Sequence, residues 1–165
     1  MRGTEFSAMV KTVLQQTGLA PERLELEITE DVLVSDFEKV KDILQGLKDI
    51  GVEIAVDDFG SGQTSLRYLN QLPISKLKID RSFIQHLSAD TRAADITRSI
   101  VDLGRTLGVS VLAEGVEEQS QLQMLKNWQC DQVQGYYFSK PVYADAVEGL
   151  IDPDHRNGFK KAAGE

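Results

Sequence analysis

Two adjacent carboxylates, Asp57 and Asp58, end an apolar run and are followed by a glycine-rich stretch. Val52, Ile54 and Val56 alternate with other residues in that run, which is the period of a β-strand. Sites in α/β proteins lie at the carboxyl ends of such strands. Adjacent acids repel each other unless a cation or a basic group lies between them. The pair therefore indicates a cation site, and a solvated turn is the alternative for the pair taken alone.

Four further polar side chains lie at or near the ends of the other predicted strands, namely Glu27, Lys78, Glu114 and Gln134. Because side chains alternate across a strand, we expect all of them to face one side of a sheet, at one end. Each has a simpler explanation by itself, as a rim acid, an ion pair or a backbone hydrogen bond. Their equivalent places in successive units favour a shared site, since polar groups in an interior are costly otherwise.

Such a cluster suits metal-assisted hydrolysis of a phosphoester. Mg²⁺ and Mn²⁺ prefer oxygen ligands. An Asp shared by two ions can hold them roughly 3.5–4 Å apart and so activate water. A Lys beside them can orient the nucleophile and offset developing charge.

Helical and strand patterns alternate along the chain. The strands are predicted near 24–28, 52–57, 77–79, 109–113 and 133–136, and the helices near 9–17, 37–50, 64–72, 96–107 and 122–128. A capping box at 35–38 begins the second helix. This alternation predicts right-handed βαβ units and a parallel sheet.

The composition excludes several classes of protein. With 165 residues, 41% of them hydrophobic, the chain suits one globular domain, and it has no apolar run long enough for a membrane span. A net charge of −8 argues against a DNA or RNA polymer as partner. The single Cys130 excludes a disulfide framework and predicts a cytoplasmic location. His86 and His155 are isolated, which argues against zinc.

Five motifs resemble, in the same order, the EAL-domain family of cyclic di-GMP phosphodiesterases. They are Glu-Ile-Thr-Glu at 27–30, Asp-Asp-Phe-Gly-Ser-Gly at 57–62, Leu-Lys-Ile-Asp-Arg-Ser-Phe at 77–83, Ala-Glu-Gly-Val-Glu at 113–117 and Gln-Gly-Tyr at 134–136, with Lys-Pro following at 140–141. The resemblance spans about residue 8 to residue 143. It implies a (β/α)8 TIM-type barrel, here truncated to about five parallel βα units from the C-terminal part of the domain.

The resemblance also implies an activity, the opening of cyclic di-GMP to linear pGpG with two Mg²⁺ or Mn²⁺ ions. Glu27 and Asp57 would ligate one ion, and Asp57 would bridge to a second ion that Asp58 also binds. Lys78 and Glu114 would hold or activate the attacking water.

Three other residues receive supporting roles from the resemblance. Gln134 would support Lys78 and the site floor, and Glu117 would lie near the site. Glu30 would anchor the loop 59–65, which shapes the family's dimer interface and substrate affinity. We expect cyclic di-GMP as ligand and a homodimer or other self-association. The alternative is a non-catalytic EAL-like binding or scaffold module.

The sequence departs from the family pattern at two metal ligands. It contains no Glu-Ala-Leu triplet, and Asn70, Asn127 and Asn157 all follow Glu27, so the family's preceding Asn ligand is absent. Gln63 also stands where the family usually has an aromatic residue. These departures predict no turnover by this chain alone, although a parent protein, cytoplasmic or membrane-anchored, would be active.

The expected domain boundaries combine the resemblance with the composition of the two ends of the chain. Residues 1–6 resemble vector-derived sequence, 7–151 form a partial EAL domain and 152–165 a polar tail. An incomplete barrel would leave two edge strands and an open inner face that exposes Ala55 and Leu112.

Overall fold

A computed structural model describes residues 3–30, 32, 36–60 and 66–151. In that part of the chain, parallel strands form one sheet in sequence order, β1 to β5. They are β1 (Glu25–Thr29), β2 (Glu53–Phe59), β3 (Lys76–Ile79), β4 (Ser110–Glu114) and β5 (Gln132–Gln134). Each strand is followed by a helical segment, so the predicted α/β architecture of successive parallel βα units is confirmed.

The described helices are α1 (Gly3–Thr17), α2 (Phe37–Lys48), α3 (Leu66–Leu69), α4 (Arg81–Gln85), α5 (Thr91–Leu107), α6 (Gln119–Asn127) and α7 (Val147–Ile151). Short 3₁₀ turns occupy Pro21–Arg23 and Ala144–Ala146. In these ranges, no helix combines the length and the apolarity that crossing a bilayer requires.

The core lies between one face of the sheet and the long helices. Its sheet side consists of alternate strand residues that are almost fully buried, such as Ile54, Leu77 and Val111. Its helix side includes Leu47 on α2 and Leu125 on α6. Because alternate residues of a strand face opposite sides of the sheet, burial of the apolar residues on one side places the residues between them on the other side.

The strand register places the polar parity of all five strands on the opposite face, here called the inner face. Residues paired in register in a parallel sheet project to the same side. Glu27 pairs with Ala55, Lys78 with Leu112, and Glu114 with Gln134. The expectation that the polar strand-end groups share one face is confirmed.

The expectation that the inner face exposes Ala55 and Leu112 is wrong. Ala55 is 0% exposed and Leu112 is 8% exposed. Ala55 has Glu27 and Lys76 as its register neighbours, and Leu112 has Lys78 on one side. Long charged side chains cover neighbouring apolar surface with their aliphatic stems. The inner face is therefore a charged layer with little apolar surface in water.

Several element boundaries differ from the predictions. The last strand, predicted over 133–136, ends at Gln134. The short helix α4 was not predicted at all. Helix α2 begins after Asp36, whose side chain makes no capping hydrogen bond, and the predicted capping residue Ser35 lies outside the described residues. The predicted tail 152–165 also lies outside them.

The N-terminal boundary at residue 6 stays a prediction. Helix α1 includes residues 3–6, and Phe6 packs against the core.

Candidate active site

Lys78 lies at the centre of a charged cluster on the inner face. Its Nζ atom is 2.6 Å from Glu27 Oε1, 2.9 Å from Asp57 Oδ1 and 3.0 Å from Glu114 Oε1. These carboxylates come from three different strands, β1, β2 and β4, and Lys78 itself from β3. Lys78 Nζ donates a hydrogen bond to Glu27 Oε1 and contacts Asp57 and Glu114 as ion pairs. Four of the five predicted strand-end residues are thus brought together.

The cluster keeps Lys78 charged although its side chain is only 7% exposed. Desolvation by burial lowers the pKa of Lys78, but the contacts with Glu27, Asp57 and Glu114 outweigh it and raise the pKa above its ordinary value. These charge-stabilising contacts therefore keep the proton on Lys78 throughout the physiological pH range.

Asp57 Oδ1 is the least satisfied atom of the cluster. It is shielded from solvent and makes no hydrogen bond of acceptable geometry in the described structure, although Lys78 Nζ lies 2.9 Å away. The contact is therefore an ion pair rather than a directed hydrogen bond. A buried carboxylate oxygen with free lone pairs is costly, and it is a natural ligand for a hard cation.

A β-bulge explains why two acids stand side by side. Between Val56 and Phe59 the register of β2 against β3 gains one residue. Asp58 lies in this bulge with φ of 54° and is exposed, while Phe59 returns to the core side. Desolvation, followed by the charges of Asp57 and Asp80, raises the pKa of Asp58. Bulges commonly re-aim side chains beside active sites.

Glu30 holds the backbone just beyond this bulge. Its Oε2 accepts a hydrogen bond from the N–H of Gly60 at 3.1 Å, and its side chain is buried. Gly60 has φ of 99°, a conformation that favours glycine. The predicted anchor thus contacts the start of the loop, whose residues 61–65 lie outside the described part.

Comparison with known proteins settles the family. The model of the EAL domain family matches residues 2–141. The chain belongs to the EAL domain family.

Relatives and solved structures agree with that assignment. The chain is 43% identical to the cyclic di-GMP phosphodiesterase NbdA of Pseudomonas aeruginosa over 142 residues, which are 86% of this chain and 18% of NbdA. The solved PaMucR phosphodiesterase, in complex with c-di-GMP, superposes with a TM-score of 0.81 and 42% identity over 84% of this chain and 56% of its own. This chain thus spans under a fifth of that curated relative and about half of a solved phosphodiesterase chain.

A second solved structure is a complex with a metal ion. BlrP1 of Klebsiella pneumoniae, in a calcium and cy-diGMP complex, has a TM-score of 0.76 and 29% identity over 82% of this chain and 34% of its own. These neighbours are EAL barrels that the chain covers in part, which places the five strands as a segment of a TIM-type barrel.

A second, smaller group lies beside the cluster of this EAL segment. Gln134 and Glu117 line a cavity of about 180 Å³ together with Glu114. Arg81 Nη2 pairs with Glu117 Oε1 at 2.8 Å, and its guanidinium lies 5.8 Å from the centre of the Tyr136 ring. The predicted proximity of Gln134 and Glu117 to the site is found, although Gln134 makes no hydrogen bond to Lys78 in the described structure.

Arg81 and Tyr136 were not predicted as site residues. Their position in the sequence could have indicated them, because each comes two residues after the end of a strand, where site residues of α/β proteins lie.

The predicted metal ligands have the right chemistry for a divalent cation, but too few of them converge on one point. Glu27, Asp57 and Asp58 offer only oxygen atoms, as Mg²⁺ and Mn²⁺ require. Yet among the described residues no three His, Cys, Asp or Glu side chains converge closely enough to hold an ion. Lys78 separates Glu27 from Asp57 by contacting both. The metal roles of these residues stay predictions.

Proposed function

We propose that the EAL domain containing these strands hydrolyses cyclic di-GMP to linear pGpG. The observation that carries the proposal is the cluster of Glu27, Asp57 and Glu114 around Lys78, on the family's motif positions. The family membership and the similarity to phosphodiesterases support it. The neighbour BlrP1, in complex with calcium and the dinucleotide, supports the use of a divalent ion, which we propose to be Mg²⁺ or Mn²⁺.

In this proposal Glu27, Asp57 and Asp58 would hold the divalent ions, which would neutralise charge and acidify water. Lys78 orients the attacking water by donating a hydrogen bond, and Glu114 accepts its proton. Gln134 supports Lys78 and the site floor, and Glu117 lies near the site.

Glu30 fixes the start of the loop 59–65 and so positions Asp58 in its bulge. The hydrogen bond to Gly60 supports this role.

We further propose that the 165-residue chain does not turn over cyclic di-GMP by itself. Two metal ligands of the family pattern do not occur in it. Loss of an outer contact alone typically costs about 10–100-fold in metal affinity, and loss of direct ligands should cost more. A cytoplasmic location and a homodimer remain parts of the same proposal.

The second candidate function is a non-catalytic binding module. It is favoured by the ion pairs of Lys78, which hold three carboxylates together and offset part of their charge without any metal. A module of this kind would bind the dinucleotide and leave it intact.

The test compares two proteins, the 165-residue chain and a complete EAL domain that contains it. Each is incubated with cyclic di-GMP and Mn²⁺, products are separated by chromatography and binding is measured by calorimetry. We expect the complete domain to form pGpG and Asp57→Asn to reduce its turnover by about 100-fold or more. We expect no product from the chain alone.

Glu25→Gln is the matched control. Glu25 lies on the same inner face as Glu27 but one layer deeper, where it pairs with Lys76 at 2.5 Å. This variant should keep most of the activity. Turnover by the chain alone that Asp57→Asn removes would overturn its proposed inactivity. A complete domain that binds the dinucleotide without cleaving it would support the binding module instead.

A further inference from the structure

The inner face carries two cationic side chains on one strand, and they have different surroundings. Lys76 and Lys78 are two residues apart on β3 and project to the same side. Lys76 contacts one carboxylate, Glu25, at 2.5 Å. Lys78 contacts three carboxylates, all within 3.0 Å. Lys78, which lies nearer the carboxyl ends of the strands than Lys76, therefore marks the position where a cation is surrounded by carboxylate oxygen atoms.

Two of the carboxylates that Lys78 contacts are predicted metal ligands. The shortest contact, 2.6 Å, is with Glu27, and the next, 2.9 Å, is with Asp57. An ion bound between these two residues would need the oxygen atoms that now face the ammonium group. Both cations cannot make the same close contacts, because they would also repel each other at such distances.

We propose that Lys78 is the resident counter-ion of this position and competes with a divalent cation for Glu27 and Asp57. In the unloaded chain the ammonium holds the ends of β1, β2 and β4 together without a metal. A divalent ion gains these ligands only when Lys78 withdraws from Glu27. The inference rests on the proposed function for the choice of Mg²⁺ and Mn²⁺ alone.

Two consequences follow for the unsubstituted chain. Its melting temperature should be insensitive to chelator and should change by no more than about 1 °C in 10 mM Mg²⁺. A ligand stabilises a fold appreciably only when its free concentration is well above its Kd. The affinity of the chain for Mn²⁺ should be low. The cluster still has more carboxylates than ammonium groups, so removing Lys78 should turn it into a cation site.

The deciding variant is Lys78→Met, which keeps most of the side-chain volume and removes the charge. We expect its melting temperature to fall well below that of the unsubstituted chain in chelator, since three facing carboxylates lose their counter-ion. We expect Mn²⁺ to bind at least about tenfold more tightly to the variant. At Mn²⁺ concentrations of about 100 times Kd, the melting temperature should recover by about 5 °C.

Lys76→Met is the matched control, because it removes the same group from the same strand and face. It should also lower the melting temperature, but it should gain neither Mn²⁺ affinity nor recovery by metal. Binding is measured by equilibrium dialysis and by the electron paramagnetic resonance of free Mn²⁺. Equal Mn²⁺ affinities for Lys78→Met and the unsubstituted chain would overturn the proposal.

A second measurement applies if Lys78→Met does not fold. The unsubstituted chain is titrated with Mg²⁺ while the side-chain resonances of its lysines are followed by NMR. Competition predicts that bound Mg²⁺ shifts the Lys78 Hε and Cε resonances and leaves those of Lys76 unchanged. Saturable Mg²⁺ binding that leaves the Lys78 resonances unmoved would overturn the proposal.

Neither readout depends on dinucleotide cleavage. The counter-ion proposal therefore fails or stands separately from the proposed phosphodiesterase activity.

Discussion

Asp58 is the residue of the site whose charge opposes folding. Burial and the neighbouring charges of Asp57 and Asp80 raise its pKa above the ordinary value. A carboxyl group with a raised folded-state pKa favours the protonated form, so its contribution to stability falls as the pH rises through that pKa. The penalty is absent below the pKa of Asp58 in the unfolded chain and is complete once the pH exceeds its raised pKa in the folded chain.

We therefore predict that Asp58→Asn stabilises the chain at pH 7. Asparagine tolerates the positive φ of this position, and it removes the repulsion. Because Asp58 is exposed, the gain is small, a rise of about 1–2 °C in melting temperature. Thermal denaturation followed at a series of pH values should show the gain shrinking toward zero as the pH falls to about 4. A variant that melts lower than the unsubstituted chain at pH 7 would contradict this reading of the bulge.

At the scale of elements, period-two alternation was sufficient to predict β1 to β4. Burying one face of a sheet imposes this alternation on the sequence. The bulge in β2 could not be predicted in this way. Strict alternation would place Asp58 on the apolar side with Val56, and only the extra residue against β3 turns it away. The paired acids were a sign of the site, but their geometry depends on the register of a neighbouring strand.

The end of the sheet shows the same limit. β5 has one apolar residue, Val133, so alternation defines it poorly. Its end is set by contacts with another segment, since Val116 N–H donates to the Gln134 carbonyl and Tyr137 N–H donates to the Val116 carbonyl. Helix α4 is only five residues long and has no complete hydrophobic repeat to detect. Its start is fixed locally by the side chain of Asp80, which accepts from Ser82 N–H.

Close packing of α5 on β4 supplies a prediction at this scale. A Cβ atom at Gly104 would lie 2.1 Å from Val111 Cγ2, so the helix can approach the strand only because this side chain is absent. We predict that Gly104→Ala destabilises the chain by about 1–3 kcal/mol, although alanine is the better helix former. Urea denaturation measures the change.

Gly149→Ala is the comparison for this substitution. Gly149 lies in α7, and a Cβ atom added to it would meet no atom of the described residues within 4 Å. This variant should be neutral or slightly stabilising. An unchanged or increased stability of Gly104→Ala, as in Gly149→Ala, would mean that helix propensity outweighs the close approach of α5 to β4.

At the scale of the whole molecule, the charged inner face changes what the open sheet can do. Ion pairs such as Lys76 with Glu25 cover it, so two copies gain little apolar contact by packing these faces together. The strand edges remain, because β1 and β5 each have a strand neighbour on one side only in the described sheet. Beside β5, a groove of about 540 Å³ is lined by apolar residues including Phe138, Val142 and Val147.

This geometry makes the β5 edge the expected site of self-association. Val142, which is 45% exposed, lines this groove together with Val133 of β5, and the next residue, Tyr143, is 87% exposed. Exposed apolar surface beside such an edge favours contact with another chain. The net charge of −8 opposes it by repulsion, which salt screens. We therefore predict a monomer–dimer equilibrium at micromolar concentration that shifts toward dimer as salt is added.

Sedimentation velocity at low and high salt measures this equilibrium. The double variant Val142→Ser and Tyr143→Ser should move it toward monomer. Val13→Ser should leave it unchanged, because Val13 is 49% exposed but lies on α1, which packs on α2, and α2 packs on β2, which β3 and β4 separate from β5. A compact monomer at every salt concentration would mean that the edge strands are covered within one chain. Association that Val13→Ser weakens as much as the double variant does would place the interface on the helical side instead.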